Sequence, residues 1–490
     1  MKEIEMSQED IKQKAVKGIF WSFCERFGSL LILFTANIVL ARILTPDDFG
    51  LVGILMAFVM ISQMLIDGGL GNALIQRQKI TTVDCSTVFY TNLSVAVVCY
   101  AALYFGADAI ASFYNEPMLA QLIKVLGAVV VIDAFGAVQN NLLMKEVDFK
   151  KITIVKVGAA LLSSVIAIVA AVYGMGVWSL VVQYVVNSVV KSALLWILSS
   201  WRPILTFSKT SFNTLFRYGS KLLLANLLSE AYRNLLVLIF GKYFSKAEVG
   251  YYSQAKHSQD VPVTSIMTIV NQVTFPIFSK LQDDKEQLKR GLSRSVKILT
   301  FLNFPLMMCL VIMAEPIFRL LFGEQWIPSV PYFQWLCGGF GFLLVIHNTN
   351  INAIKAVGKS GIVLYLEIIK KVLGLGLIMA FIYMGYGAIS IMWALAINSV
   401  IEFFLNGYFT GKYTGYGIFS QLRDMLPNLI VTAIASATAY SLSFVNMHYL
   451  LLLVAQAICF IGVYLVVMKV AKVEIFEYLA VELKSILKKK

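Results

Sequence analysis

The feature that most constrains this chain is a succession of apolar runs, each long enough to cross a bilayer, joined by short polar connections. Crossing the hydrocarbon layer takes roughly 20 residues of helix. Hydropathy, interrupted by charged residues, Pro and Gly, predicts about fourteen such spans. They cover 18–43, 48–76, 84–107, 118–143, 152–173, 176–200, 214–240, 248–279, 293–321, 328–354, 360–384, 387–411, 418–444 and 448–470. The polar ends of the second, fourth and eighth read as amphipathic extensions. Composition agrees: 59% of residues are hydrophobic and 14% charged, against about 45–50% and about 25% in soluble domains. The connections on one side, such as Thr45 to Asp47, Gly174 to Gly176 and Met384 to Tyr386, leave no room for a folded domain, and the longest runs from Ala107 to Pro117. The expectation is an all-α integral membrane protein that has no soluble catalytic domain and is not an enzyme.

The formal net charge of +13 does not point to nucleic acid, because the basic residues lie in the connections, where they follow the positive-inside rule. One set of alternate connections holds Lys12, Lys14, Lys17, Arg77, Lys79, Lys145, Lys150, Lys151, Arg202, Lys209, Lys285, Lys289, Arg290, Lys355, Lys359, Lys412 and the closing Lys488 to Lys490. The opposite set holds little beyond Lys242 and Lys246, with Arg42 and Arg319 at helix ends. Both termini are therefore expected in the cytoplasm, and an even number of spans, which puts the two ends on one side, agrees with that. The first apolar run is far longer than a signal-peptide core and should stay as a helix. Cys24, Cys85, Cys99, Cys309, Cys337 and Cys459 lie in or beside apolar runs with no C-x-x-C spacing, and the three histidines are scattered. Small core residues fit these cysteines better than metal ligands or disulfides. No metal or cofactor is expected.

A repeat is visible at an offset of about 200 residues. Arg42-Ile-Leu-Thr-Pro-Asp-Asp-Phe-Gly-Leu echoes Lys242-Tyr-Phe-Ser-Lys-Ala-Glu-Val-Gly-Tyr, aligning Thr45 with Ser245, Asp48 with Glu248 and Gly50 with Gly250. Six spans separate the copies, so the halves share one orientation, as in other parallel-repeat transporters. Convergence on good N-cap residues is the competing explanation. The expected organisation is a cytoplasmic segment 1–17, a first lobe 18–200, a cytoplasmic linker 201–213, a second lobe 214–411, two further helices over 418–470 and a cytoplasmic amphipathic tail 471–490.

Five segments carry a family resemblance: Pro46-Asp-Asp-Phe-Gly-Leu-Val, Gly69-Leu-Gly-Asn-Ala-Leu-Ile-Gln-Arg-Gln, Val249-Gly-Tyr-Tyr-Ser-Gln-Ala, Phe275-Pro-Ile-Phe-Ser-Lys-Leu-Gln-Asp-Asp and Leu321-Phe-Gly-Glu-Gln-Trp. Together they resemble the polysaccharide-exporter branch of the multidrug/oligosaccharidyl-lipid/polysaccharide flippase superfamily, and within it the colanic-acid and teichuronic-acid exporter group. The likeness runs from about residue 10 to 410. It implies a multidrug-extruder-like bundle of two pseudo-symmetric six-helix lobes plus two C-terminal helices, with a central cavity that opens alternately to either face. It also implies an undecaprenyl-diphosphate-linked oligosaccharide as cargo, carried across the bacterial cytoplasmic membrane for surface polysaccharide synthesis. A proton or sodium counter-ion, membrane lipids and polysaccharide-polymerase or assembly partners follow from the same likeness.

Ionisable groups inside a span cost about 2.5–3.5 kcal/mol each on insertion scales and normally face the protein interior or a wet cavity. Glu25 and Arg26 lie roughly 10–12 Å into the first span; neighbours in sequence point about 100° apart, so at least one seeks another helix. The seventh span carries Lys221, Asn226, Glu230, Arg233 and Asn234, of which Asn226, Glu230 and Arg233 or Asn234 share one polar stripe at a spacing of three or four, the eighth Lys256, His257 and Asp260, the eleventh Glu367, Lys370 and Lys371, and the fourth Lys124 and Asp133. Arg26, Lys221, Asn226, Arg233, Lys256 and Lys370 are the candidate substrate ligands, since Arg offers diphosphate a bidentate fork and Lys a point charge. Glu25, Asp67, Glu230, Asp260 and Glu367 are the candidate ion-coupling carboxylates; His257 titrates nearest neutral pH but equally suits a structural hydrogen bond. Pairing along a helix, Glu230 with Arg233, Lys256 with Asp260 and Glu367 with Lys370, is the alternative role for these charges. Relatives that flip peptidoglycan precursor carry basic residues on the second span, which here has Asp67 and no Lys or Arg before Arg77.

Pro276 and Pro305 are expected to bend or end their helices. The tail from Val473 reads as an interfacial amphipathic helix against anionic lipid. Two other function classes compete with a flippase: a cation or drug antiporter on the same fold, whose cavity should be acidic and aromatic, and a membrane polymerase or ligase, which needs an external loop that this chain lacks.

Overall fold

The computed structural model describes residues 8–67, 69–473 and 475–477, with the side chains of residues 8–16 and of several mid-chain helical positions, Lys221 and Asn226 among them, outside that description. The expected amphipathic tail therefore falls outside the described residues beyond Glu477. The described residues form helices and connections, with no strand among them. They divide into two compact units, residues 1–250 and 251–490.

The first unit contains α1 (Gln8–Ile43), α2 (Pro46–Asp67), α3 (Leu70–Gln76), α4 (Thr82–Tyr114), α5 (Met118–Leu126), α6 (Ala128–Lys145), α7 (Phe149–Val172), α8 (Val177–Leu198), α9 (Lys209–Tyr243) and the first turn of α10 (Lys246–Leu281). Here α7 packs on α1 and α8, α6 on α4 and α8, and α9 on α2, α3 and α4. Leu70, Leu74, Val88, Phe89, Val138 and Leu215 close a buried cluster between α3, α4, α6 and α9. Lipid tails are as apolar as these side chains, so such contacts hold by close packing and not by exclusion of water. Outward positions stay apolar as well: on α4, Val97, Val98, Tyr104 and Phe105 are exposed, as lipid-facing residues should be.

The second unit contains the rest of α10, then α11 (Lys285–Ile312), α12 (Ala314–Leu321), a 3₁₀ turn (Glu324–Trp326), α13 (Ser329–Trp335), a π-helical segment (Leu336–Gly341), α14 (Phe342–Ala356), α15 (Ser360–Tyr383), α16 (Ser390–Thr414), α17 (Ile418–Ser441) and α18 (Tyr449–Val470). α11 packs on α14 and α17, α16 on α14 and α15, and α17 on α18. Phe304 of α11 stacks on Phe342 of α14 with ring centroids 3.9 Å apart. The wide π turn frees carbonyls, and the Asn303 amide donates to those of Gly341 and Phe342 at 3.1 and 3.0 Å.

Among the described residues, eleven helices are long and apolar enough to cross a membrane, which makes this a multi-pass membrane protein. Every predicted span falls on a helical stretch, but those matching α9, α10 and α15 are not among the eleven. Each of the three carries ionisable residues well inside its length: Glu230 and Arg233, Lys256 and Asp260, and Glu367, Lys370 and Lys371.

Boundaries differ from expectation in instructive places. α4 runs on to Tyr114, so the longest expected outer loop shrinks to Asn115–Pro117. Asn115, at φ 56°, takes the left-handed C-cap, and Glu116 N–H closes back on the Ala111 carbonyl at 3.0 Å, the wrapped helix end that Asn and Gly favour. The second span breaks between α2 and α3 at Gly69, whose φ of 68° suits glycine. A Cβ there would sit 2.2 Å from the Gly219 carbonyl oxygen. Pro276 does not end its helix, which continues to Leu281, and α11 likewise continues past Pro305.

The repeated turns are built alike. Thr45 Oγ1 and N–H both donate to the Asp48 carboxylate, at 2.8 and 2.9 Å, and Ser245 Oγ accepts from Glu248 N–H at 3.3 Å. They also touch reciprocally: a Cβ on Gly50 would lie 1.8 Å from the Lys246 carbonyl oxygen, and one on Gly250 would lie 2.0 Å from that of Pro46. Only glycine permits two helix starts to approach this closely, which accounts for Gly at both matching positions.

Candidate functional site

In the first unit, charged and amide side chains converge inside the helix bundle. A cavity of about 260 Å³ is lined by Gln63 and Asp67 of α2, Asp133 and Asn140 of α6, Lys156 of α7 and Lys191 of α8, among others. Asp133 is its most connected group: it accepts from Gln63 Nε2 at 2.7 Å and from Ser188 Oγ, and its Oδ1 lies 2.7 Å from Lys191 Nζ. Lys156 reaches the other way, with its Nζ 2.8 Å from Glu25 of α1. Glu25 thus finds its partner on another helix, while Arg26 stays exposed. Of the expected site residues, the cavity gathers Asp67, with Glu25 joined through Lys156.

On α9, Glu230 is 8% exposed and holds two neighbours: Arg233 Nη2 at 2.5 Å and Asn234 Nδ2 at 2.8 Å. The side chain of Arg233 is 68% exposed beyond that contact. Glu230 and Arg233 are not among the cavity-lining residues. The side chains of Lys221 and Asn226 lie outside the described residues.

The second unit carries two further pairs, each on its own helix. On α10, Lys256 Nζ donates to the Asp260 carboxylate and to Gln259 Oε1 at 3.0 Å. This face meets the π segment, where a Cβ on Gly341 would lie 3.4 Å from Gln259 Nε2. On α15, Lys370 is buried with its Nζ 2.5 Å from Glu367. It also interacts electrostatically with His347 of α14 and Glu402 of α16. Asn398 donates to Glu402 at 2.8 Å, and His347 Nε2 lies 3.1 Å from Ser399 Oγ.

The three intrahelical pairs drawn from spacing all form. What the sequence reading passed over are Lys156, Lys191, Ser188 and Glu402, all on apolar helices, together with the role of Asp133. The rule that an ionisable group within a span is functional by default applies to Lys156, Lys191 and Glu402 as well. The ion-pair partners of Lys156 and Lys191 lie on other helices, so no spacing within a single helix advertises them. A distributed set of cations and amides suits an anionic, sugar-bearing molecule, because cations meet phosphate and amides meet hydroxyls.

Comparison with known proteins agrees in kind. A family model described as "Polysaccharide biosynthesis protein" matches residues 39–331. The chain is similar to a succinoglycan biosynthesis transport protein of Rhizobium meliloti, 26% identical over 85% of each chain. It is also similar to a lipopolysaccharide biosynthesis protein of Escherichia coli, 28% identical over 67% of each, and to a teichuronic acid biosynthesis protein of Bacillus subtilis, 24% identical over 90% of this chain and 91% of that one. Among solved structures, an inward closed lipid II flippase superposes with a TM-score of 0.76 at 15% identity, over 94% of this chain and all of that one. An inward-facing multidrug transporter superposes at 0.60 and 16%, over 83% and 95%. At these identities the structures speak for the fold.

Proposed function

Because the chain belongs to the polysaccharide biosynthesis protein family, we propose that it is a flippase that moves a lipid-linked oligosaccharide between the leaflets of the bacterial cytoplasmic membrane. The observation that carries this reading is the placement of cations: Lys156, Lys191, Arg233, Lys256 and Lys370 all sit on helices of the bundle. A diphosphate-linked sugar needs cations along its path, and each such group would be costly without a purpose. Undecaprenyl diphosphate is the proposed carrier lipid, and alternating access the proposed cycle. The eleven apolar spans with α9, α10 and α15 make fourteen crossings, in lobes 18–200 and 214–411 plus two C-terminal helices, with both termini cytoplasmic. A chain of this kind is a transporter and not an enzyme.

Arg233 and Lys256 are the proposed anion ligands, since each is partly exposed while paired and its pair can open when a diphosphate competes. Asp67 and Asp133, beside Lys156 and Lys191, are proposed as the groups that answer a proton or sodium gradient. A drug antiporter is the second reading, favoured by the likeness to the multidrug transporter fold; the lysines carried well inside the helices, Lys156, Lys191, Lys256 and Lys370, weigh against it, because cationic drugs call for an acidic, aromatic cavity. The test replaces Arg233 and Lys256 by Ala in cells that export a surface polysaccharide through this protein. A charge-assisted hydrogen bond is worth about 1.5–3 kcal/mol, so export should fall roughly tenfold or more at unchanged protein level. Intact export would rule these residues out as ligands.

A further inference from the structure

The second unit carries a strongly basic cavity that the transport reading does not use. It holds about 790 Å³ where α11 begins beside the start of α17, with Ile475 at its edge. On α11, Glu286, Arg290, Ser293 and Lys297 follow at helical spacing, and Lys289 and Arg294 flank them, so one face of the first turns carries four cations against one carboxylate. From α17 comes Arg423.

Among the described residues five cations thus face two carboxylates, Glu286 and Asp424, and Asp424 is already engaged. It accepts from Tyr416 OH at 2.7 Å and Ser293 Oγ at 2.5 Å, and stands 3.9 Å from Lys297. Lys289 and Arg423 make no hydrogen bond or ion pair among the described residues. So many like charges on one cavity repel one another unless an anion joins them, and arginines present the planar fork that suits phosphate.

An apolar groove of about 580 Å³ opens from the same place, sharing Lys297, Arg423, Asp424 and Ile475 with the basic cavity. It follows α17 through Leu426, Ile430 and Ile434 and is closed on the other side by Val467 of α18. From Arg423 to Ile434 it spans about 16 Å at 1.5 Å per residue. Leu426, Ile430 and Ile434 are each more than 40% exposed. A charged head at one end and an oily channel at the other describe an amphiphile. Lys256, Asp260, Glu367 and Lys370 do not line either space, so the occupant is distinct from a ligand of those pairs.

We propose that this composite site holds an anionic phospholipid, its phosphate among Arg290, Arg294 and Arg423 and an acyl chain along α17. The full-length protein, purified and reconstituted in phosphatidylcholine nanodiscs, is offered phosphatidylglycerol, and bound lipid is read by native mass spectrometry. Phosphatidylglycerol should be retained in preference to phosphatidylcholine, and neither inorganic phosphate nor a polyprenyl diphosphate should displace it. A basic residue near anionic lipid contributes about 1 kcal/mol, so Arg290→Gln and Arg423→Gln, both at exposed positions, should each lower retention roughly fivefold. Ser420→Asp, which adds an anion to the cavity without removing a contact, should lower it as well. Equal retention of the two phospholipids, or retention unchanged in all three variants, overturns the proposal. Displacement by inorganic phosphate makes this a free-anion site, and displacement by polyprenyl diphosphate gives it to the transport substrate; either result also overturns it.

Discussion

Two ion pairs with the same spacing, one in each unit, have opposite architecture. On α9, Glu230 is the inner member, with an 11% exposed side chain, and Arg233 the outer at 68%. On α15 the order reverses: the Lys370 side chain is 4% exposed and that of Glu367 35%. Both read in the sequence as Glu followed by a cation at i+3. Exposure separates them, because an incoming anion can meet Arg233 while it still touches Glu230. Reaching Lys370 means first opening a buried pair. The first arrangement presents a cation and the second stores one, which is why Arg233 is proposed as a ligand and Lys370 as a structural or coupling group.

The largest effect that can break this comparison is on stability. Removing one partner of a buried pair strands the other and costs about 3–5 kcal/mol, so Lys370→Ala should lower thermal unfolding in detergent sharply. An unchanged midpoint would mean that Lys370 is not the anchor of its pair. Next comes Arg233→Ala, which removes a mostly exposed group. Its stability cost should stay below about 1 kcal/mol, while transport falls roughly tenfold or more. Arg233→Lys should restore only part of the transport, because Lys lacks the fork; full restoration would argue for a simple point charge.

A double-mutant cycle sharpens the contrast further. Lys370→Met with Glu367→Gln should recover about 1–3 kcal/mol relative to the sum of the single changes, whereas the cycle of Arg233→Ala with Glu230→Gln should give less than about 1 kcal/mol. Equal coupling in both would erase the distinction. The smallest expected effect is that of Glu230→Gln alone, which keeps an acceptor for Asn234 and removes only the charge. It should leave the unfolding midpoint within about 1 kcal/mol of the parent.

How much of this was legible in the sequence depends on whether the deciding contact is local. Helix positions follow from apolar length, which is why every expected span lands on a helical stretch. The break at Gly69 was not legible, because it answers to the backbone of Gly219, far along the chain. α4 runs beyond the span expected to end at 107. In the structure Ser112 Oγ donates to the Asp108 carbonyl at 2.9 Å and the helix continues. Of the two outcomes expected for Pro276 and Pro305, bending or ending the helix, neither proline ends its helix. In the site, pairs at i+3 and i+4 could be drawn from spacing alone. Glu25 with Lys156, and Asp133 with Lys191, could not, since each joins two helices far apart in sequence. The repeated turns sit between these cases: their caps were readable, but the reciprocal backbone contact of Gly50 and Gly250 needed three dimensions.

Transbilayer movement itself is the most direct test. Purified protein is reconstituted into liposomes carrying labelled undecaprenyl-diphosphate oligosaccharide, and the fraction of label accessible from outside is followed with and without a proton or sodium gradient. A flippase should expose the label at a rate that rises with the amount of protein and falls at least about tenfold in Arg233→Ala. Label that stays on its original face in the presence of folded protein and either gradient would refute the assignment.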